Sequence, residues 1–181
     1  MSTHRRARNR TIAPAGAFES FYRAHYGAIS RYVARRVPAT SHDDVVAKTF
    51  VVAWSKFAEI HEPTLPWLYR IASYEVAHER RQLVRHPQDA ELNDLDLIDT
   101  SPLEDVFDVS RAFSQLSESD AELLRLVYWD DLSRSDVAAV LGTSTNAVNV
   151  RVHRAVERLA GALSRLAHVT LITESSPKEN P

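Results

Sequence analysis

The chain has 181 residues, 44% apolar and 25% charged, the balance of a folded protein with one mid-sized domain or two small ones. Its lack of cysteine excludes a disulfide framework, a thiolate zinc site and a cysteine nucleophile, and its four glycines form neither GxGxxG nor GxxxxGK[ST]. The net charge of −2 hides a sharp unevenness: residues 86–110 carry eight acids and no Lys or Arg, whereas 18–85 carry ten basic against seven acidic residues.

Two near-neutral or basic blocks joined by an acidic strip predict two domains. Residues 1–17 hold four arginines and no acid, and are expected to be a basic disordered tail. From there Phe18, Phe21, Tyr22, His25, Ile29, Tyr32 and Val33 recur at helical spacing, which predicts an amphipathic helix stopped before Pro38. Ser41 with Asp44 three residues later reads as a capping box. It would open a second helix with Val45, Val46, Thr49, Phe50, Ala53, Trp54 and Phe57 on one face. A loop at His61–Leu65 precedes a third helix, from about Trp67 to Leu83, with Pro66 in its first turn. The block 18–85 is thus a small helical bundle.

The strip from 86 to 100 has little periodicity and reads as flexible linker, which by charge extends to 110. Ser101-Pro102-Leu103-Glu104 carries a helix start signal, and Ser117-x-x-Asp120 and Ser133-x-x-Asp136 carry similar ones. No strand-like alternation stands out, so the fold class expected is all-α. The second domain is expected over 111–167, with a C-terminal tail at 168–181.

Residues 133–160 are the most informative. A short helix from Ser133 to Leu141 is followed by Gly142, where a left-handed turn residue is wanted, and then by Ser144 as a cap. Val148, Val152, Ala155, Leu159 and Leu163 would face inward, with Leu141 between the two helices. Asn146, Asn149, Arg151 and Arg154 would then point outward. A helix-turn-helix with a polar, basic second helix fits the major groove, where Asn can pair with adenine and Arg with guanine. An ordinary helical hairpin with a solvated basic face has the same pattern.

Leu116-Ser117-Glu118, Tyr128-Trp129-Asp130-Asp131-Leu132-Ser133, Val137-Ala138-Ala139-Val140-Leu141-Gly142 and Val152-His153-Arg154-Ala155 together resemble the promoter-binding C-terminal domain of bacterial sigma factors. The resemblance is to the two-domain extracytoplasmic-function group of the sigma-70 family. In the first block, Asp43-Asp44-Val45-Val46-Ala47-Lys48-Thr49-Phe50-Val51-Val52-Ala53-Trp54 resembles that group's polymerase-binding helix. Pro66-Trp67-Leu68-Tyr69-Arg70-Ile71-Ala72 resembles its promoter-melting helix. The two blocks stand in the family's order and span about residues 18–166.

The resemblance implies an alternative sigma factor, whose partners are core RNA polymerase (the β′ clamp helices and the β flap), promoter DNA and an anti-sigma factor. It implies −35 contacts from Ser144, Thr145, Asn146, Asn149, Arg151 and Arg154. It implies −10 contacts from His61, Trp67, Tyr69, Arg70, Tyr74, His78 and Arg81, with aromatic rings to stack on bases and cations to meet phosphates. Trp67 has a plain core reading beside that one. Polymerase contacts fall on Arg31, Arg35, Asp44 and Lys48, and Asp44 also fits a simple helix cap. This chain departs from the family pattern at Ala47 and Lys48, where a glutamine and an acid are usual, and at Tyr74 and His78, where Asn and Asp are common. The acidic linker fits either a polyanion mimic attracted to polymerase channels or a self-repelling spacer.

Other constellations are negative. The eight histidines are scattered, HExxH is absent and no nucleophile–base set stands out, so neither an enzyme nor a cofactor is expected. No apolar run nears the roughly eighteen residues of a membrane span, and no signal-peptide core follows Arg5, Arg6, Arg8 and Arg10. A cytoplasmic, nucleoid-associated protein is expected. Two other classes compete: a LuxR-type helix-turn-helix regulator, which would dimerise on palindromes, and a protein-interaction module without DNA binding.

Overall fold

The computed structural model describes residues 15–85 and 104–174. The chain divides into two compact units, residues 1–94 and 95–181. All regular structure among the described residues is α-helical.

The first unit holds α1 (Ala15–Ala34), α2 (Ala39–Phe57) and α3 (Leu65–Arg85), and each packs against the other two. Ile29, Val33, Ala53, Leu68 and Ala72 are fully buried where the helices meet. Each such Ile, Val or Leu contributes about 1.5–3 kcal/mol of transfer free energy. Trp54, expected on the buried face, is 45% exposed, although its ring meets Phe18 edge-on at 4.7 Å.

The entry into α2 differs from the expected capping box. The helix starts at Ala39 directly after Pro38, without a side-chain cap. Ser41 lies inside the first turn, and its hydroxyl donates to Glu79 Oε1 on α3 at 2.6 Å. Asp44 pairs one turn onward with Lys48. The corner before α2 is held by a long-range bond: Arg80 Nε donates to the Arg36 carbonyl at 2.9 Å. Arg36 is itself buried, with its guanidinium 3.7 Å over the Tyr32 ring and donating to the Tyr32 carbonyl. Buried Thr49 is satisfied by donating back to the Val45 carbonyl at 2.8 Å.

The second unit holds α4 (Glu104–Ser114), α5 (Glu118–Tyr128), α6 (Arg134–Leu141) and α7 (Thr145–Glu174). The first three all pack on α7. Residues 104–110, counted with the linker on charge, are helical, because α4 has a partner in α7 that composition does not reveal. Likewise α7 continues to Glu174, through the first part of the expected tail. Residues 1–14 of the expected basic tail, the start signal at Ser101 and the acids at 89–99 lie outside the described residues, whereas 15–17, counted with that tail, form the start of α1.

The serine caps expected for α5 and α6 form here. Ser117 Oγ accepts from the Asp120 N–H at 3.2 Å and Ser133 Oγ from the Asp136 N–H at 3.1 Å. Leu123, Leu126, Val137, Val148 and Ala155 are fully buried and form the core. No helix among the described residues is long and apolar enough to cross a membrane.

Candidate nucleic-acid interface

The helix-turn-helix is built by local chemistry. Ser133 caps α6 and donates in return to Asp136 Oδ2 at 2.6 Å, so the first turn is closed on both sides. Gly142 ends α6 in the left-handed region at φ 63°, and the Thr143 N–H returns to the Ala138 carbonyl at 3.0 Å. Ser144 Oγ then accepts from the Ala147 N–H at 3.2 Å and starts α7. One face of α7 is sealed by Val148, Val152 and Ala155.

The opposite face leaves Thr145, Asn146, Asn149 and Arg154 exposed, with Ser144 exposed just before the helix and Arg151 half-buried at its flank. These are the residues expected to meet −35 DNA, gathered on the first three turns of one helix. Val150 and His153 share that face but were absent from the expected set. Their signal was present in the periodicity, since 146, 149, 150 and 153 form one stripe at three- and four-residue spacing. His153 Nδ1 lies 3.5 Å from Glu157 Oε2 one turn on.

Leu141 departs from expectation. It is 36% exposed, whereas Val137 and Val140 on the same helix are buried, at 0% and 5%. The sharp turn at Gly142 follows Leu141 at once, which carries its side chain to the rim rather than the seam.

In the first unit, α3 presents Arg70, Tyr74, His78 and Arg81 on its exposed side, with Tyr74 62% exposed. His61 is exposed in the preceding loop, and Trp67 is half-buried with its ring 6.2 Å from Phe21. Tyr69 corrects the expectation. It is 2% exposed, with its ring edge-on to Tyr32 at 5.0 Å, because it shares a helical face with Ala72 and Val76. It supports α3 from within the core rather than from its exposed side.

On α2 the outer surface carries Asp44, Ala47, Lys48, Val51 and Trp54, with Val51 67% exposed. The hydrogen bond that the Lys48 ammonium donates to Asp44 raises the Lys48 pKa above its usual range, against slight desolvation, and the charges of Asp44, Glu79 and Glu75 add to the rise. Tyr22 and Tyr26 on α1 extend this surface, packed on Phe50 with ring separations of 4.6 and 6.1 Å. Arg31 is exposed on α1 and Arg35 half-buried just past its end. Val51 and Trp54 thus lie exposed on the same outer face of α2 as the Asp44–Lys48 pair. Among the described residues, no group of three or more His, Asp or Glu is gathered to hold a metal.

Residues 107–159 match the family described as Sigma-70, region 4, which takes in the whole helix-turn-helix. Over 141 residues the chain is 30% identical to RNA polymerase sigma factor NccH of Alcaligenes xylosoxydans xylosoxydans, covering 70% of this chain and 75% of that protein. It is 31% identical over 159 residues to RNA polymerase sigma factor CnrH of Cupriavidus metallidurans, covering 77% and 83%. A solved structure of CnrH in complex with the cytosolic domain of CnrY superposes with a TM-score of 0.61 at 25% identity, over 84% of this chain and 91% of that one. With relatives matched at this identity over most of both chains, the chain belongs to the extracytoplasmic-function group of the sigma-70 family of RNA polymerase sigma factors.

Proposed function

We propose that this chain is an alternative sigma factor that joins core RNA polymerase and directs it to promoters carrying its own −10 and −35 elements. The observation that carries this reading is the polar stripe of Asn146, Asn149 and Arg154 on the first turns of α7, inside the region-4 match. Recognition helices present such residues to base edges in the major groove. The α3 surface with Arg70, Tyr74, His78 and Arg81 has the cation-plus-ring character that suits opened −10 DNA, with His61 and Trp67 at its approach. The outer surface of α2, with Asp44 and Lys48, is the polymerase contact in this reading, and Arg31 and Arg35 lie on and just beyond α1.

The role is that of a specificity subunit, working in the cytoplasm beside the nucleoid, with RNA synthesis itself left to the core enzyme. CnrH has been solved with the cytosolic domain of CnrY, and a comparable anti-sigma partner is proposed for this chain. The LuxR-type alternative is not favoured, because the sigma-factor relatives match over 141 residues or more, well beyond the helix-turn-helix. In vitro transcription decides the matter. Core polymerase with the full chain should start RNA at discrete sites on genomic fragments where core alone does not. Equal, scattered initiation with and without the chain would sink the proposal.

A further inference from the structure

Single exposed apolar side chains are ordinary on protein surfaces and need no explanation by themselves. Val150 is different by position. It is 43% exposed in the middle of the polar stripe, one turn beyond Asn146 and one turn before Arg154, with Asn149 and His153 as its helical neighbours. Val148 and Val152, two residues to either side, are 0% and 4% exposed, so the core is closed without Val150. Val156, also exposed on α7 at 40%, lies almost two turns further from the N-terminal end, away from the residues that a recognition helix presents to bases.

A major groove offers one apolar feature on its base edges, the C5-methyl of thymine, and apolar side chains are its usual partner. A helical valine is held mainly in one χ1 rotamer, so its two methyls are aimed before any DNA arrives and little side-chain entropy is lost on contact. Along the helix Asn146 and Val150 are about 6 Å apart, close to two base-pair steps of about 3.4 Å. An asparagine able to pair with adenine and a valine able to cover a methyl thus lie within two steps of each other.

From this we infer that Val150 is a specificity-determining residue that selects one thymine in the upstream promoter element by packing on its methyl group. The inference rests on the sigma-factor reading of the second unit and adds the chemical feature that it selects. No further group is needed: the contact is dispersion and burial between two hydrocarbon surfaces.

The test uses holoenzyme made from core polymerase and the full chain. Duplexes that it recruits are selected from a library randomised upstream of the start site. The winner is resynthesised with each thymine in turn replaced by deoxyuridine, which removes the methyl and leaves every hydrogen-bonding edge intact. One upstream replacement should weaken binding about fourfold, the worth of one buried methyl. Holoenzyme with Val150→Ala should bind the winner about as weakly as that uracil duplex and be indifferent to the same replacement. Val150 lies outside the core, so a circular dichroism melt of the variant should match wild type. If the wild type selects a sequence but no upstream uracil weakens it, or if Val150→Ala keeps the same uracil penalty, the thymine assignment is overturned while promoter reading stands. If no sequence is enriched at all, the sigma-factor reading falls and the inference falls with it.

Discussion

Arg158, in the middle of α7, donates from Nη1 to Asp120 Oδ2 in the first turn of α5 at 2.7 Å. The two partners are unequal, since the side chain of Asp120 is 12% exposed and that of Arg158 is 56%. They form part of the wall of an open cavity of about 510 Å³ with Gln115, Ser117, Ser119 and Arg165. Removing the arginine strands a largely buried carboxylate. Arg158→Ala should therefore destabilise the second unit by about 1–2 kcal/mol, below the cost for a fully buried pair because the arginine is half in water. Asp120→Asn in the same background should recover part of the loss, as measured by urea unfolding of the single and double variants.

Reading and holding separate on α7. On the proposed reading Asn149 lies near the N-terminal end of the exposed stripe, where a recognition helix meets base edges, and Arg154 lies further along. Asn149→Ala should relax preference at one base pair by roughly 1–3 kcal/mol and leave the others alone. Arg154→Ala should weaken all promoters alike and lower the salt slope by about one unit. Holoenzyme binding to single-base promoter variants at two salt concentrations checks both. If the arginine variant changes base preference and the asparagine variant does not, the two roles are exchanged.

Among its described residues the second unit has two backbone sites of positive φ, Gly142 at 63° and Asp131 at 52°. An alanine at the first places a Cβ in a left-handed turn, which costs roughly 1–2 kcal/mol. Asp131→Gly should stay within about 0.5 kcal/mol of wild type, because relief of strain is offset by a freer unfolded chain. Thermal melts of the two variants should therefore diverge, with Gly142→Ala alone moving downward.

Burial lowers the His25 pKa below the usual imidazole value of 6.5, and the ring packs edge-on against Phe21 at 4.5 Å. The folded state thus takes up a proton less readily than the unfolded chain. Its contribution to stability is full above about pH 6.5 and is lost as pH falls from there through the lowered folded pKa. His25→Gln should flatten the decline in stability between neutral and mildly acidic pH. A variant that loses stability on acidification as steeply as wild type would exclude His25 as the source.

The features legible in the sequence were those settled within four or five residues. Ser117, Ser133, Gly142 and Ser144 act on neighbouring backbone groups, so their spacing was enough. Ser41 carried the same signal and failed, because its hydroxyl has a partner 38 residues away in Glu79. Tyr69 was misplaced by one helical phase, since an aromatic beside Arg70 fits a DNA face as readily as a core. The acidic run hid the start of α4, whose packing on α7 is a tertiary fact. Leu141 was read as core from its type, whereas the turn after it decides its exposure. Val137→Asp, at a fully buried site, should cost several kcal/mol and unfold the second unit, while Leu141→Asp should cost about 1 kcal/mol or less. Far-ultraviolet circular dichroism of the two variants at 25 °C distinguishes these outcomes.

The length of α7 sets how the second unit can adjust to DNA. Thirty residues of continuous helix, about 45 Å long, carry the exposed polar stripe at one end and run beneath α4, α5 and α6. The reader and its own axle are one piece. The stripe therefore cannot tilt in the groove unless the unit turns with it, and it has no hinge of its own to absorb a misplaced base pair. A promoter with altered geometry must be accommodated by bending or twisting of the duplex, so sequence-dependent DNA stiffness becomes a silent partner in promoter choice at base pairs that no side chain touches.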